Sequence, residues 1–396
     1  MFDQLEQLPP DPILGLLALY QADPNPNKVD LGVGVYKNEA GETPVMAAVK
    51  MSEANRLAEE TSKAYIGPAG EPAFNQCIEQ LLYGREHKVL SENRLSTVQT
   101  PGGCGALRVA AELVMRANPK AQIWVSDPTW ANHIPLMGEA GLQINSYPYY
   151  DRSERTLVFD AMMSTLEPVG KGDLVLLHGC CHNPCGADLN EEQWRCVTDL
   201  ASRNGFVPFI DIAYQGFGRG IEEDAYGVRY MAEHLPELVV TSSCSKNFGL
   251  YRDRVGALSV LSANEAEANA TRSQIYNVTR GIYSMPPAHG PAIVRGILSD
   301  VELRLSWEAE LSDMRARMQE LRNLLVDKLT AKSGSNEFGH IREQFGMFSF
   351  LGISKEQVKR LRDEFSVYMV DSSRINVAGI SHENIEYLTD SIVAVL

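Results

Sequence analysis

Residues 174–211 read LVLLHGCCHNPCGADLNEEQWRCVTDLASRNGFVPFID. Two short apolar runs, Leu174–Leu177 and Val207–Ile210, bracket a segment with helical signals at both ends. Asn190 is a candidate N-cap, Glu191 and Glu192 suit the positive end of a helix dipole, and Gly205 follows Arg203 where a helix would close. A strand, a covering helix over Asn190–Arg203 and a second strand are the repeating unit of a parallel sheet buried on both faces. Working outward, Gln122–Ser126, Leu238–Thr241 and Ala257–Leu261 are runs of the same kind. Residues from about 97 to 261 are therefore expected to form a mainly parallel sheet covered by helices.

Beyond the sheet, Trp307, Leu311, Met314, Met318, Leu321 and Leu325 recur at spacings of four and three, predicting a long helix over Val301–Lys332 with one buried stripe. The tail returns to short strand-like runs at Met347–Leu351 and Ser366–Val370, then a helix from about His382. This is the pattern of a separate, smaller α+β layer. With no internal repeat and no low-complexity linker, the expected division is an arm at 1–13, a small domain at 14–43 and 314–396, and a large domain at 44–313.

Composition narrows the function. The 396 residues are 44% hydrophobic and 22% charged, with 36 Lys and Arg against 51 Asp and Glu and a formal charge of -15. Such a surface repels phosphate backbones and anionic bilayers, so neither nucleic acid nor membrane is an expected partner. The start, Met1-Phe-Asp-Gln-Leu-Glu6, has no basic segment leading into an apolar run, and the seven cysteines are sparse. A reducing, cytoplasmic location is expected.

Polar residues of catalytic kinds follow four of the expected strands: Asp127 and Trp130, His178 and Asn183, Asp211 and Tyr214, and Ser243, Ser245 and Lys246. In an open parallel sheet these strand ends share one edge, where ligands bind. Gly102-Gly103-Cys104-Gly105 reads as a glycine turn entering a helix, whose free N–H groups suit a phosphate. Ser243-Cys-Ser-Lys246 with Arg254 offers two hydroxyls, an amine and a guanidinium, enough to hold a phosphate ester while a lysine meets a carbonyl. The same four residues also fit a Ser-x-x-Lys acyl transferase with Ser243 as nucleophile. The Cys- and His-rich run from His178 to Cys185 lacks the second paired element that structural zinc requires, so no metal is expected.

With these residues in view, the chain resembles the class I aminotransferases, and within them the aspartate and aromatic amino acid branch of the fold-type-I pyridoxal phosphate superfamily. The resemblance runs over essentially the whole length. It rests on Val29-Asp-Leu-Gly-Val-Gly34-Val-Tyr-Lys37, Gly102-Gly-Cys-Gly-Ala-Leu107, Ser126-Asp-Pro-Thr-Trp-Ala-Asn-His133, His182-Asn-Pro-Cys-Gly186, Asp211-Ile-Ala-Tyr-Gln-Gly-Phe217, Ser243-Cys-Ser-Lys-Asn-Phe-Gly249, Pro286-Pro-Ala-His-Gly290 and Ser373-Arg-Ile-Asn-Val-Ala-Gly379. It implies an α/β fold, with a mainly parallel seven-stranded sheet between helices in a large domain and an α+β small domain.

The resemblance implies that Lys246 binds pyridoxal 5'-phosphate as a Schiff base and, once displaced, shuttles the substrate's Cα proton. Asp211 would pair with the pyridine nitrogen, supported by His133 and His178. Tyr214 and Asn183 would donate to the phenolic oxygen, and Trp130 would stack on the ring. Arg254, Ser243, Ser245, Gly103 and Cys104 would hold the phosphate. Arg374 would take the substrate's α-carboxylate and Arg280 the distal one, with Gly34 on a mobile segment nearby. Arg280 and Tyr65 would enter the neighbouring subunit's site, which implies a homodimer acting on amino acids and 2-oxo acids.

Two positions depart from the family pattern, Cys104 for a usual Thr or Ser and Cys185 for the Thr after Asn-Pro; both bring thiols toward the pocket, sensitive to oxidation if exposed. Val35, Lys37 and Thr43 resemble the aspartate branch, while Ala64, Cys104 and Met285 do not. Aspartate with 2-oxoglutarate is the first expected substrate pair, and an aromatic or dual-specificity enzyme the alternative. A non-catalytic regulator of this fold would need a basic DNA-binding extension, which the sequence does not contain.

Overall fold

A computed structural model of the chain describes residues 1–8 and 12–396; residues 9–11, part of the expected arm, lie outside the described residues. Two compact units form: Pro44–Arg317 with Gln344–Gly346, and Met1–Thr43 with Met318–Glu343 and Met347–Leu396.

The larger unit is built on seven strands: β1 (Leu95–Pro101), β2 (Gln122–Asp127), β3 (Gln143–Pro148), β4 (Leu174–His178), β5 (Val207–Ile212), β6 (Leu238–Ser243) and β7 (Val255–Leu261). Their order is β1-β7-β6-β5-β4-β2-β3. β7 runs antiparallel to both its neighbours, and the pairs β6–β5, β5–β4, β4–β2 and β2–β3 are parallel. Every run read from the sequence as a strand is one. The two unforeseen strands, β1 and β3, close the sheet at its edges. There the period of apolar residues fails, because β1 mixes Ser, Thr and Gln into its interior and β3 is half exposed.

The helix expected after β4 spans Glu191–Asn204, with Asn190 and Gln193 forming a reciprocal capping box and Gly205 closing it at φ 80°. Helix Gly102–Ala117 starts directly from β1. Its Ala106, Leu107, Val109 and Ala110 pack with Val98, Ile123, Leu176, Phe209 and Leu258 of the sheet into one buried core. Each buried Val, Leu, Ile or Phe among them contributes roughly 1.5–3 kcal/mol through its removal from water.

In the smaller unit, Val29–Asp30 pairs in parallel with Val367–Tyr368, and Phe348–Phe350 pairs antiparallel with Arg374–Asn376. A core including Leu31, Leu325, Leu361, Ile375 and Leu388 lies among these strands and the helices around them. Helix Ile385–Val395 begins slightly later than expected. Helix Lys355–Phe365 was not anticipated, although Ser354 and Gln357 give it a full capping box. The predicted long helix spans Val301–Ser333. Among the described residues, no helix is long and apolar enough to cross a membrane.

Gly256 on β7 marks the tightest backbone packing in the sheet. A Cβ there would lie 2.4 Å from the carbonyl carbon of Gly102 and 2.7 Å from the Ser242 oxygen. Because those neighbours are main chain, they cannot rotate aside. Gly256→Ala is expected to destabilise the larger unit by about 1–3 kcal/mol or more, read as a lowered urea midpoint; an unchanged midpoint would contradict this packing.

Candidate active site

Strand register brings the polar strand ends together. His178 on β4 pairs with Asp211 on β5, and Asp211 pairs with Thr241 on β6, so the three occupy adjacent strands in one row. Asp211 is 9% exposed. Its Oδ2 accepts from His133 Nε2 at 3.0 Å and its Oδ1 from the Thr241 hydroxyl at 2.9 Å.

The chain of contacts continues outward. Thr129 Oγ1 lies 2.8 Å from His133 Nδ1 and 3.2 Å from His178 Nε2. With neutral rings only one arrangement satisfies every partner, since a carboxylate oxygen can only accept. His178 Nε2–H donates to the Thr129 oxygen, Thr129 O–H donates to His133 Nδ1, and His133 Nε2–H donates to Asp211. Burial disfavours the charge on Asp211, but the hydrogen bond and proximity of His133, with His178 and Thr241, outweigh it and hold the carboxyl below its usual range. Burial, reinforced by His133 and opposed by Asp211, pushes His178 down to about 3.

Lys246 follows β6. Burial lowers its amine despite the nearby Asp211, which acts the other way, and Arg254 adds to the lowering. Its Nζ stands 5.1 Å from the centre of the Tyr214 ring. A cool amine beside a held carboxylate is the pairing that a carbonyl-binding lysine needs.

A cradle adjoins this pair. Because β7 is antiparallel, Val255 pairs with Pro101 and Gly256 with Ser243, which places the preceding Arg254 at the same sheet edge as Gly102 and Ser243. Gly102, at φ 72°, lets the Arg254 guanidinium within 2.5 Å of where a Cβ would stand. At Gly103 a Cβ would meet Ser243 Cβ at 3.2 Å. The Ser243 hydroxyl donates to Ser245 Oγ at 3.1 Å, not to an amine, which removes the activation that a Ser243 acyl transferase requires. A guanidinium, two hydroxyls and a helix start with bare N–H groups suit a phosphate ester. Asn132 reaches Cys104 at 3.8 Å.

The comparisons with known proteins identify the family. A model of the family "Aminotransferase class I and II" matches residues 26–392. The chain belongs to the class I and II aminotransferases. It is 48% identical over 396 residues to an aspartate aminotransferase of Escherichia coli, with both chains covered completely. It is 47% identical over 394 residues to an aromatic-amino-acid aminotransferase of Pseudomonas aeruginosa, covering 100% of this chain and 98% of that one. A crystal structure of the Burkholderia pseudomallei aromatic-amino-acid aminotransferase covalently bound to pyridoxal phosphate superposes with a TM-score of 0.98 at 43% identity, covering 100% and 99% of the two chains.

Trp130 packs edge-on against His133 with ring centres 5.2 Å apart, and Asn183 is buried on the loop that follows β4. Tyr65 is 94% exposed, and Arg280, near the end of helix Glu265–Ile282, is exposed with its guanidinium on Ser284. In the smaller unit, Arg374 donates to the Gly32 carbonyl and lies 4.4 Å from the Phe348 ring, against which Gly34 also packs. Cys185 is fully buried, so its thiol is shielded from oxidants, whereas Cys104 is partly open. Thr129 and Thr241 went unnoticed in the sequence because threonines in strands and turns carry no distinguishing pattern. The donor atoms of Cys180, Cys181 and Asp224 lie within 4.8 Å of one another, but the Asp224 oxygens already accept from Gly216, Gly218 and Arg219.

Nitrogen-15 NMR of the His178 ring is expected to show the neutral, Nε2-protonated tautomer from pH 8 to pH 5. Since the unfolded ring takes up a proton near pH 6.5 and the folded one near 3, this site supports stability above 6.5 and withdraws it as pH falls, by about 1.4 kcal/mol per unit. An imidazolium signal at pH 6 would overturn the neutral ring, and an Nδ1-protonated tautomer would overturn the assigned hydrogen-bond direction.

Proposed function

We propose that this aminotransferase moves the amino group of L-aspartate to 2-oxoglutarate by ping-pong exchange, using pyridoxal 5'-phosphate bound at Lys246. The observation that carries this reading is the lowered amine of Lys246 close to Asp211, whose carboxyl is held ionised by His133 and Thr241. The cofactor, when bound, supplies an electrophilic carbonyl and an electron-accepting ring. The residues present fit it: Arg254, Ser243, Ser245 and the backbone at Gly103 and Cys104 answer the phosphate, and Asp211 answers a protonated pyridine nitrogen. Tyr214 and Asn183 would donate to its phenolic oxygen, and Trp130 would cover its ring.

Lys246, its amine lowered by burial, would be the base that takes up the substrate's Cα proton and gives it back. Arg374 fixes the α-carboxylate through a two-donor fork that a lysine lacks, and Gly34 lies on the segment beside it. Arg280 takes the distal carboxylate. The exposure of Arg280 and Tyr65 on the single chain supports their service to a second subunit, so the working form is a homodimer with shared sites. We place the enzyme in the cytoplasm, with residues 44–313 as cofactor-binding domain, 14–43 and 314–396 as small domain and 1–13 as arm.

A second reading, transamination of tyrosine and phenylalanine, is favoured by the nearly equal likeness to aromatic-amino-acid aminotransferases. Both readings keep Arg280, because the acceptor is a dicarboxylate in each.

Cofactor-loaded protein is expected to lose its visible absorbance with aspartate and regain it with 2-oxoglutarate, and borohydride should leave the adduct on Lys246. Lys246→Ala should lower turnover by on the order of 10²–10⁴-fold or more; near-normal turnover refutes the assignment. Arg280→Asp should weaken aspartate far more than phenylalanine, since an acid would then face the distal carboxylate. Equal losses in the specificity constants of the two would show that Arg280 does not read the side chain.

A further inference from the structure

Two loops leave the sheet toward the site, one after β4 carrying Asn183 and one after β5 carrying Tyr214, and each is folded around a carboxylate. Asp188 Oδ2 accepts from the Cys181 N–H at 2.7 Å, and its Oδ1 accepts from the His182 N–H at 2.8 Å. The amide it holds is therefore the one directly before Asn183. Asp224 Oδ2 accepts from Gly216 and Gly218 at 2.8 and 2.9 Å, and its Oδ1 accepts from Arg219 at 2.8 Å. That turn begins two residues after Tyr214, and the Phe217 N–H closes back on the Tyr214 carbonyl at 2.9 Å.

We propose that Asp188 and Asp224 are positioning residues, which aim Asn183 and Tyr214 by gripping the main chain of the loops that carry them. This rests on the roles given to Asn183 and Tyr214 above.

The loop after β4 is fixed at several points. Gly186 N–H bonds back to the His182 carbonyl at 2.7 Å, and Phe345 N–H holds the Gly186 carbonyl at 2.8 Å. The His182 ring stacks on Tyr149 and touches Ser126 and Cys185 at 3.0 and 3.1 Å. Within this frame Asp188 is the acid: burial pushes its carboxyl up to about 6, the two N–H bonds oppose that rise, and it is ionised above that pH. Two N–H groups converge on its two oxygens, a match that an amide cannot reproduce, because the NH2 of Asn would confront one of the donors. The titratable and charged groups around Asp188 are Asp224, Arg219, Glu223 and Tyr226 from the segment after β5, Glu191 from the helix after β4, and His182, Cys180, Cys181, Cys185 and Tyr149. Asp188 and Asp224 line one cavity, so the two grips share a wall.

A loop cap that only stabilises the fold would lower the unfolding temperature and leave the cofactor's surroundings unchanged. A positioning residue alters the donors to the phenolic oxygen. Donation there favours loss of the proton that the bound chromophore titrates, so weakened donation raises the pH midpoint of the visible absorbance change.

The test is that midpoint in cofactor-loaded protein for Asp188→Asn, Asn183→Ala and the double variant. Asn183→Ala is expected to raise the midpoint by about 0.7 unit, the equivalent of one hydrogen bond. Asp188→Asn should move it the same way by less, and the double variant should match Asn183→Ala alone, because the aspartate acts through the asparagine. Asp224→Asn should show the same dependence on Tyr214→Phe. An unmoved midpoint in Asp188→Asn beside a moved one in Asn183→Ala overturns the positioning role and leaves the reading of Asn183 intact. Additive shifts in the double variant overturn it too. An unmoved midpoint in Asn183→Ala removes the reading on which both stand. If Asp188→Asn fails to fold, Asp188→Glu, which keeps the charge but displaces it by one methylene, is read the same way.

Discussion

A carboxylate kept ionised inside a protein is the constraint around which the larger unit is arranged. An unanswered charge at the depth of Asp211 costs several kcal/mol, and two hydrogen bonds to neighbouring side chains offset that cost. One comes from the adjoining strand, through Thr241. The other comes from His133, itself oriented by Thr129 and, through Thr129, by His178. Strand register is therefore electrostatics here: a slip of one residue between β5 and β6 would turn Thr241 to the opposite face and leave Asp211 with half its partners.

The second arrangement at this edge depends on a reversal of direction. Were β7 parallel to its neighbours, Arg254 would lie at the far end of the sheet from Ser243. Running antiparallel, it delivers the guanidinium to the start of helix Gly102–Ala117, where glycines leave room for it. The amine at 246, the acid at 211 and the cradle thus arise from four strand ends, none of which is reactive alone.

Much of this was legible in the sequence because buried parallel strands advertise themselves as uniform apolar runs. The runs at 122, 174, 207 and 238 and the polar residues after them located the site edge. The reading failed where the physics differs. β1 and β3 have one neighbour each and tolerate polar residues, so no apolar run marks them, and the direction of β7 is set by pairing with distant segments. Asp188 and Asp224 look like ordinary turn residues, since nothing in a local pattern tells which amides a carboxylate will collect. Arg280, Tyr65, Arg374 and Gly34 came from family likeness alone, and on the described chain Arg280 and Tyr65 are exposed.

The reversed strand also bears on biosynthesis. β1 hydrogen-bonds to no strand but β7, and the sheet has a slot between β1 and β6 that only residues 255–261 can fill. While the ribosome is still adding the intervening helices and strands, the emerging chain displays an unmatched β1 edge, for on the order of ten seconds or more at ordinary elongation speeds. Nascent protein of this design has to be shielded from sticky encounters through that interval, and truncated chains ending before β7 would be substrates for chaperones and proteases, unable to capture a phosphorylated ligand.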